Sequence, residues 1–279
     1  MPRIFSCCTA DDFTGASDLA NKLVRAGMRV VGLIDYTVVA RRADAVVDRI
    51  AQRKAAGVGI AIVDAISNDD LMRLGPALKG MPLVTAGSGV AIGLPQNFGM
   101  TPSAQAGILP KASGMQAVVS GSCSPATNAQ VQAFIATGRP ALAIDPLRMA
   151  SGIDVSAEAL AWAAPLLQAG AVLVYSTAES AAIKAVQRKL GVEEAGVLVE
   201  GTLAAIAKGL VALGVRQLIV AGGETSGACV QALSITQMQI GPQIAPGVPW
   251  CFASGIHITL KSGNFGANDF FTDAFKMLA

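Results

Sequence analysis

The stretch Gln217-Leu218-Ile219-Val220-Ala221-Gly222-Gly223-Glu224-Thr225-Ser226-Gly227 decides the fold of the carboxy-terminal half of the chain. Its apolar run suits a buried strand, a glycine-rich turn follows at once, and a helical pattern covers residues 227–234. A strand, a glycine turn and a helix start together form a common phosphate site, because free backbone amides point at the anion there. The stretch therefore predicts an α/β unit with an anion site after the strand.

The same alternation of short apolar runs and helical patterns fills most of the 279 residues. Strands are predicted over residues 3–9, 30–34, 59–63, 82–85, 116–119, 141–144, 171–175 and 217–220. Helices are predicted over residues 15–26, 43–56, 69–78, 125–137, 157–169, 178–190 and 203–213. This alternation predicts an α/β protein of two domains, with mostly parallel sheets flanked by helices. A segment rich in Gly, Pro and Ser, 95–115, is predicted to link domain 1–94 to domain 116–279.

Composition narrows the class of protein. Hydrophobic residues make up 52% of the chain and charged residues 14%, which is ample for a folded core. A net charge of +2 without a basic block, and few aromatic residues, give no reason to expect a nucleic-acid partner. No uncharged apolar run reaches the roughly 18 residues of a membrane helix. With five cysteines that form no CxxC pair and a single histidine, we expect a cytoplasmic protein with reduced thiols, no membrane partner and no side-chain metal site.

Carboxylates follow the first predicted strand, in Thr9-Ala10-Asp11-Asp12-Phe13-Thr14-Gly15. Open α/β sheets bind ligands at the carboxyl ends of their strands. Either Asp12 or Thr14 suits the cap of the following helix, and this leaves at least one carboxylate for chemistry. Asp12 and Asp11 are therefore the candidate catalytic residues. Such carboxylates bind substrate hydroxyls, hold Mg²⁺ through water, or take the proton of an attacking hydroxyl.

Two further turns carry the signs of an anion site. They are Ser120-Gly121-Ser122-Cys123-Ser124-Pro125 and Leu260-Lys261-Ser262-Gly263-Asn264-Phe265-Gly266. Glycines allow close approach of the backbone, successive amides form a concave nest for phosphate oxygens, and Lys261 is expected to add a point charge. No turn matches GxxxxGK[ST] or GxGxxG. The residues alone therefore indicate a phosphate-binding α/β protein, most simply one that binds a nucleotide.

Taken together, the motifs resemble those of the four-carbon acid sugar kinase family, and within it those of the 3-oxo-tetronate kinases. The likeness covers residues 9–18, 31–94, 120–124, 222–227, 246–250 and 260–266. The resemblance implies transfer of the γ-phosphoryl group of ATP, with Mg²⁺, to the terminal hydroxyl of a four-carbon sugar acid in a cleft between two domains. It also implies that Asp11 and Asp12 face this cleft, with Asp12 as the candidate base. The nucleotide contacts that it implies are Ser122, Gly222, Gly223, Glu224, Thr225 and Gly263.

One segment departs from the family pattern. Gly27-Met28-Arg29 runs almost directly into Val31-Gly32-Leu33-Ile34-Asp35-Tyr36, where the family has much more chain. The acid-binding domain is therefore predicted to be shortened. Three alternatives stay open: a 3-oxo-tetronate-type kinase, a threonate or erythronate kinase with the same chemistry, and a nucleotide-binding remnant without catalysis. Shortening also predicts exposed apolar strand edges, which a second copy of the chain would cover as a homo-oligomer.

Overall fold

The chain divides into two compact units, Met1–Ser103 and Ala104–Ala279. The computed structural model describes residues 6–10, 25, 31–34, 36–81, 83–101, 103, 105–149, 151–176 and 191–278. Helices and strands are numbered in chain order within these residues.

The first unit contains a four-stranded parallel sheet. Its strands, in the spatial order β2-β3-β1-β4, are β1 (Ser6–Ala10), β2 (Val31–Ile34), β3 (Ile60–Asp64) and β4 (Leu83–Thr85). The helices whose bounds lie within its described residues are α1 (Tyr36–Val39), α2 (Ala43–Ala55) and α3 (Asn68–Ala77). Every residue of β3 is buried, as expected for a parallel strand with both faces covered.

Two short 3-10 helices, Ser88–Gly93 and Pro95–Phe98, lie on α3. The Gln96 side-chain amide donates to the Met72 carbonyl at 2.8 Å, and that of Asn97 donates to the Gly75 carbonyl at 2.6 Å. The first residues of the predicted linker are therefore bonded into the first unit.

Large apolar side chains are exposed on the same unit. Leu83 in strand β4 is 49% exposed and Phe98 is 76% exposed. A partner that covers them stays a prediction.

The second unit contains a seven-stranded mixed sheet. Its spatial order is β6-β7-β5-β8-β11-β10-β9, and β10 alone runs antiparallel to its neighbours in the described sheet. The strands are β5 (Met115–Ser120), β6 (Ala141–Ala143), β7 (Val172–Tyr175), β8 (Val215–Ala221), β9 (Gln239–Ala245), β10 (Val248–Ala253) and β11 (Ile256–Lys261). The predicted fold class, mostly parallel α/β, is confirmed, whereas the hairpin of β9 and β10 was not predicted.

Helices cover both faces of this sheet. They are α4 (Pro125–Ala136), α5 (Pro146–Met149), α6 (Val155–Ala163), α7 (Val192–Ala212), α8 (Gly223–Ala232) and α9 (Phe270–Lys276). Successive residues of the central strands point to opposite faces, so Val119 and Val220 belong to one buried cluster, and Val118 and Ile219 belong to the other. The predicted helices 15–26 and 178–190 lie outside the described residues, apart from Arg25.

Helix α7 begins eleven residues before the predicted start at residue 203. Its segment Glu194–Ala212 is long and apolar enough to cross a membrane, by length and composition only. Leu203, Ile206 and Leu210 in that segment are fully buried against the sheet. A core helix of a folded domain passes the same test, and the burial of these side chains accounts for the apolar composition.

Candidate functional site

Three neighbouring parallel strands of the second unit end in one row. Ser120 at the end of β5 pairs with Ala221 at the end of β8, and Ala221 pairs with Lys261 at the end of β11. The ladder continues one step further: the Gly121 amide donates to the Ala221 carbonyl at 2.9 Å, and the Gly222 amide donates to the Lys261 carbonyl at 2.8 Å. The three glycine turns that the sequence singled out therefore start side by side at one edge of the sheet.

Two of the turns approach the third closely, each at a glycine where a Cβ atom would be crowded. A Cβ atom on Gly263 would lie 2.9 Å from Ser122 Oγ, and one on Gly222 would lie 3.2 Å from the Ser122 amide nitrogen. Gly222 also has φ of +124°, a region that other residues rarely adopt. The structure thus brings Ser122, Gly222 and Gly263 together.

Helix α8 begins at Gly223, four residues earlier than predicted. Among the described residues, no side chain caps its first turn, and the first backbone bond runs from the Ser226 amide to the Gly222 carbonyl at 2.8 Å. The amides of Gly223, Glu224 and Thr225 therefore face outward at the positive end of the helix, which suits an anion. The Thr225 side chain is buried against the turns, and Glu224 is exposed.

The Gly263 carbonyl oxygen collects three donors. They are Ser124 Oγ at 2.6 Å, Thr127 Oγ1 at 2.8 Å and Lys261 Nζ at 2.9 Å. Lys261 is fully buried, and its Nζ also donates to Thr127 Oγ1 at 3.0 Å and to the Ser262 carbonyl at 3.1 Å. Burial lowers the pKa of this ammonium to about 8. The ammonium is therefore turned into the protein, and the point charge that the sequence predicts lies behind the loop.

A second side chain of α4 holds the other end of the same loop. Gln130 Nε2 lies 3.0 Å from the Phe265 carbonyl, 3.1 Å from that of Gly266 and 3.0 Å from that of Ala267. Sequence reasoning missed Thr127 and Gln130. The available signal was their spacing, because Ser124, Thr127 and Gln130 follow one another at intervals of three residues and so share one helix face.

A pair of carboxylates lies beside the start of α8. Burial, then the charge of Glu224 and a hydrogen bond with it, raise the pKa of Glu200, which lies in α7. Oxygen ligands of this type suit Mg²⁺. Within the described residues, no group of three or more His, Cys, Asp or Glu side chains is placed to hold a metal ion.

The predicted catalytic residues Asp11 and Asp12 lie outside the described residues. Strand β1, which precedes them, ends at Ala10. Cys123, in the first glycine turn, is an exposed free thiol, whereas Cys229 and Cys251 are buried.

Two family models match the chain. Residues 117–271 match the nucleotide-binding C-terminal domain, and residues 29–94 match the sugar-binding N-terminal domain. The three turns at the edge of the second sheet all lie within the first match.

The chain is similar to curated proteins named 3-oxo-tetronate kinase. The protein from Burkholderia multivorans is 52% identical over 94% of this chain and 62% of its own length. The protein from Pseudomonas fluorescens is 50% identical over 89% of this chain and 59% of its own length. The chain thus spans about three fifths of the length of these relatives.

Two solved structures are similar as well. A Salmonella typhimurium LT2 protein described as a putative tRNA synthase is 31% identical, covers 98% of this chain and 73% of its own, and superposes with a TM-score of 0.80. A Haemophilus influenzae protein of the DUF1537 family is 36% identical, covers 92% of this chain and 63% of its own, and gives 0.71. The chain therefore belongs to the four-carbon acid sugar kinase family, which pairs a sugar-binding N-terminal domain with a nucleotide-binding C-terminal domain and includes the 3-oxo-tetronate kinases.

Proposed function

We propose that the chain binds ATP at the three strand ends of its second unit and transfers the γ-phosphoryl group to the terminal hydroxyl of a four-carbon sugar acid of the 3-oxo-tetronate type. One observation carries the nucleotide part: Ser120, Ala221 and Lys261 stand in one row, and each leads into a glycine turn. The second of these turns starts helix α8, whose first amides have no side-chain cap in the described part of the chain. The names of the curated relatives support the acid.

The nucleotide contacts follow from this edge. The amides of Gly223 and Thr225, at the start of α8, suit phosphate oxygens, with Gly222 and Gly263 leaving room for them. The Ser122 hydroxyl and the exposed Glu224 carboxylate complete the proposed set. Phosphoryl transfer needs chiefly positioning and charge neutralisation, and preformed amides supply both.

The proposed transfer forms a bond between the acceptor hydroxyl oxygen and the γ-phosphorus and breaks the bond from that phosphorus to the bridging oxygen of ADP. The hydroxyl proton passes to a carboxylate. We assign this base to Asp12 and propose Asp11 as the second catalytic carboxylate, since the family resemblance implies that both face the acid.

Mg²⁺ belongs to the same proposal. An Mg²⁺ ion that arrives with ATP needs only one or two protein carboxylates, since the phosphates and water fill its other positions. Glu224 and Glu200 are carboxylates next to the phosphate-facing amides and fit that need. When bound, the ion would neutralise charge on the transferred group.

A second candidate function is nucleotide binding without catalysis. It is favoured by the match to the sugar-binding domain, which covers only residues 29–94, whereas the nucleotide-binding domain is matched over residues 117–271. A threonate or erythronate kinase would share the nucleotide site and differ in the acid.

Calorimetric titration with Mg·ATP, followed by assays for ADP release with 3-oxo-tetronates, threonate and erythronate, tests the proposal. We expect saturable binding, and ADP release that depends on the added acid. Binding without acid-dependent release supports the second candidate instead.

Gly263→Val should abolish binding because a branched side chain meets Ser122 and Ser124. Gly201→Val, at an open position of α7, is the matched control. Equal affinity in the two variants would place the nucleotide elsewhere.

A further inference from the structure

We propose that Lys261 is a positioning residue for the nucleotide phosphates. From inside the protein it holds the carbonyls of Ser262 and Gly263, so that the next two amides face the anion. This inference rests on the proposed nucleotide site and adds to it a residue that never touches the ligand.

The direction of the amides follows from peptide geometry. In a trans peptide the C=O and the following N–H point to opposite sides, and the described chain contains no cis peptide. The Ser262 and Gly263 carbonyls both lie within 3.1 Å of Lys261 Nζ. The amides of Gly263 and Asn264 therefore point away from the ammonium. Across the described part of the chain neither amide donates a hydrogen bond. Two successive free amides form an anion nest.

Lysine suits this place by its number of donors. Its ammonium has three hydrogens, and three acceptors surround it: the Ser262 and Gly263 carbonyls and Thr127 Oγ1. Since all three hydrogens are used and the side chain is fully buried, no donor is left for direct contact with a phosphate.

The charge of Lys261 also has no carboxylate partner among the described residues. An unpaired buried charge is costly, and the cost falls when an anion binds on the far side of the loop. The lowered pKa of the ammonium has this same cause, burial. A positive charge behind the nest adds to the field that the amides create.

The experiment compares Lys261→Met, Thr127→Val and the double variant by titration with Mg·ATP and with inorganic tripolyphosphate. Lys208→Met, which removes an exposed lysine of α7, is the charge-matched control. We expect Lys261→Met to weaken both ligands by about 10- to 100-fold, because charged hydrogen bonds that orient the nest are lost.

Thr127→Val separates positioning from direct contact, since it removes no charge. If Lys261 and Thr127 together position the loop carbonyls, Thr127→Val should also bind both ligands more weakly. The double variant should then bind them no more weakly than Lys261→Met alone. Unchanged affinity in Thr127→Val, or losses that simply add in the double variant, would overturn the inference. If Lys261→Met fails to fold, the affinity of Thr127→Val for the two ligands tests the inference instead.

Hydrogen exchange of the free protein tests, without any ligand, whether Lys261 holds the Ser262 and Gly263 carbonyls in place. The Phe265 amide donates to the Ser262 carbonyl at 3.3 Å, so its exchange should accelerate in Lys261→Met and not in Lys208→Met. If the exchange of the Phe265 amide is unchanged in Lys261→Met, the inference is wrong, even if the parent chain binds ATP. If exchange accelerates but the parent chain binds no nucleotide, the proposed function is wrong, and Lys261 has no role in phosphate binding.

Discussion

The Ser124 hydroxyl donates a 2.6 Å hydrogen bond to the carbonyl oxygen of Gly263, 139 residues further along the chain. The same hydroxyl oxygen accepts the Thr127 amide at 3.2 Å and so caps α4. One side chain therefore begins a helix and fixes the last of the three glycine turns. Because α4 packs on the sheet, the loop is tied to the rigid part of the unit.

Replacing Ser124 by Ala should lower both stability and nucleotide affinity. We expect a loss of about 1–2 kcal/mol in the free energy of unfolding from the cap, and a further loss of binding because the Gly263 carbonyl is released. Ser67→Ala is the matched control, since Ser67 caps α3 in the first unit with the same 3.2 Å bond. Urea unfolding and calorimetry measure the two effects. A Ser124→Ala variant that binds Mg·ATP like Ser67→Ala would contradict the link between cap and loop.

Alkylation of Cys123 should report nucleotide binding. The thiol is exposed in the first glycine turn, whereas burial raises the pKa of Cys229 to about 12 and raises that of Cys251. Since the thiolate is the reactive form, iodoacetamide should modify Cys123 at least about tenfold faster than the buried pair.

Saturating Mg·ATP should slow the modification of Cys123 and leave Cys229 unchanged. Mass spectrometry of the separate peptides resolves the sites. If calorimetry shows saturation while Cys123 reacts at its free rate, the nucleotide does not cover the first turn.

The parts of the fold that the sequence predicted are those with a strong local pattern. Parallel strands buried on both faces leave apolar runs, and the glycine turns after β5 and β8 mark their ends. Strand β11 was not among the predicted strands, although the glycine turn that follows it was singled out. The hairpin of β9 and β10 lacked such a signal because it contains Pro242 and Pro249 and because β9 is largely exposed at the sheet edge.

The inward direction of Lys261 is a matter of tertiary structure. From the sequence, a lysine next to glycines suits a phosphate contact as well as a contact within the protein. Only the positions of Thr127 and the loop carbonyls show that the ammonium of Lys261 donates to groups within the protein. The start of α8 at Gly223 was missed for a related reason, since glycine is a poor helix former and packing overrides that preference here.

The stability of the protein should depend on pH through Lys261. Burial lowers the pKa of its ammonium from 10.5 to about 8, so between these values the unfolded chain holds a proton that the folded chain has released. Stability rises with pH wherever the unfolded state binds more protons. The free energy of unfolding of the parent chain, relative to Lys261→Met, should therefore increase from about pH 8 to about pH 10.5. Lys208→Met, which removes an exposed lysine and keeps Lys261, is the matched control. A difference between parent and Lys261→Met that shrinks with rising pH would mean that the ammonium is stabilised by its surroundings.

Glu200→Gln should stabilise the protein at neutral pH and not in acid. Burial and the neighbouring charge of Glu224 raise the pKa of Glu200, so the folded chain holds that proton more tightly than the unfolded chain. The stability that the protonated form contributes is complete below the unfolded pKa and is lost as pH rises through the raised value. Gln resembles the protonated form at every pH, so Tm of the variant should exceed that of the parent at about pH 7 and equal it at about pH 4. Glu194→Gln, at an exposed position of the same helix, is the control. An equal change at both pH values would show that the gain comes from something other than the carboxylate pair.

Weaker binding of Mg·ATP in Glu200→Gln, with binding of metal-free ATP unchanged, would further assign the pair to the proposed Mg²⁺ ion, because only the metal-dependent part of the affinity needs a carboxylate there.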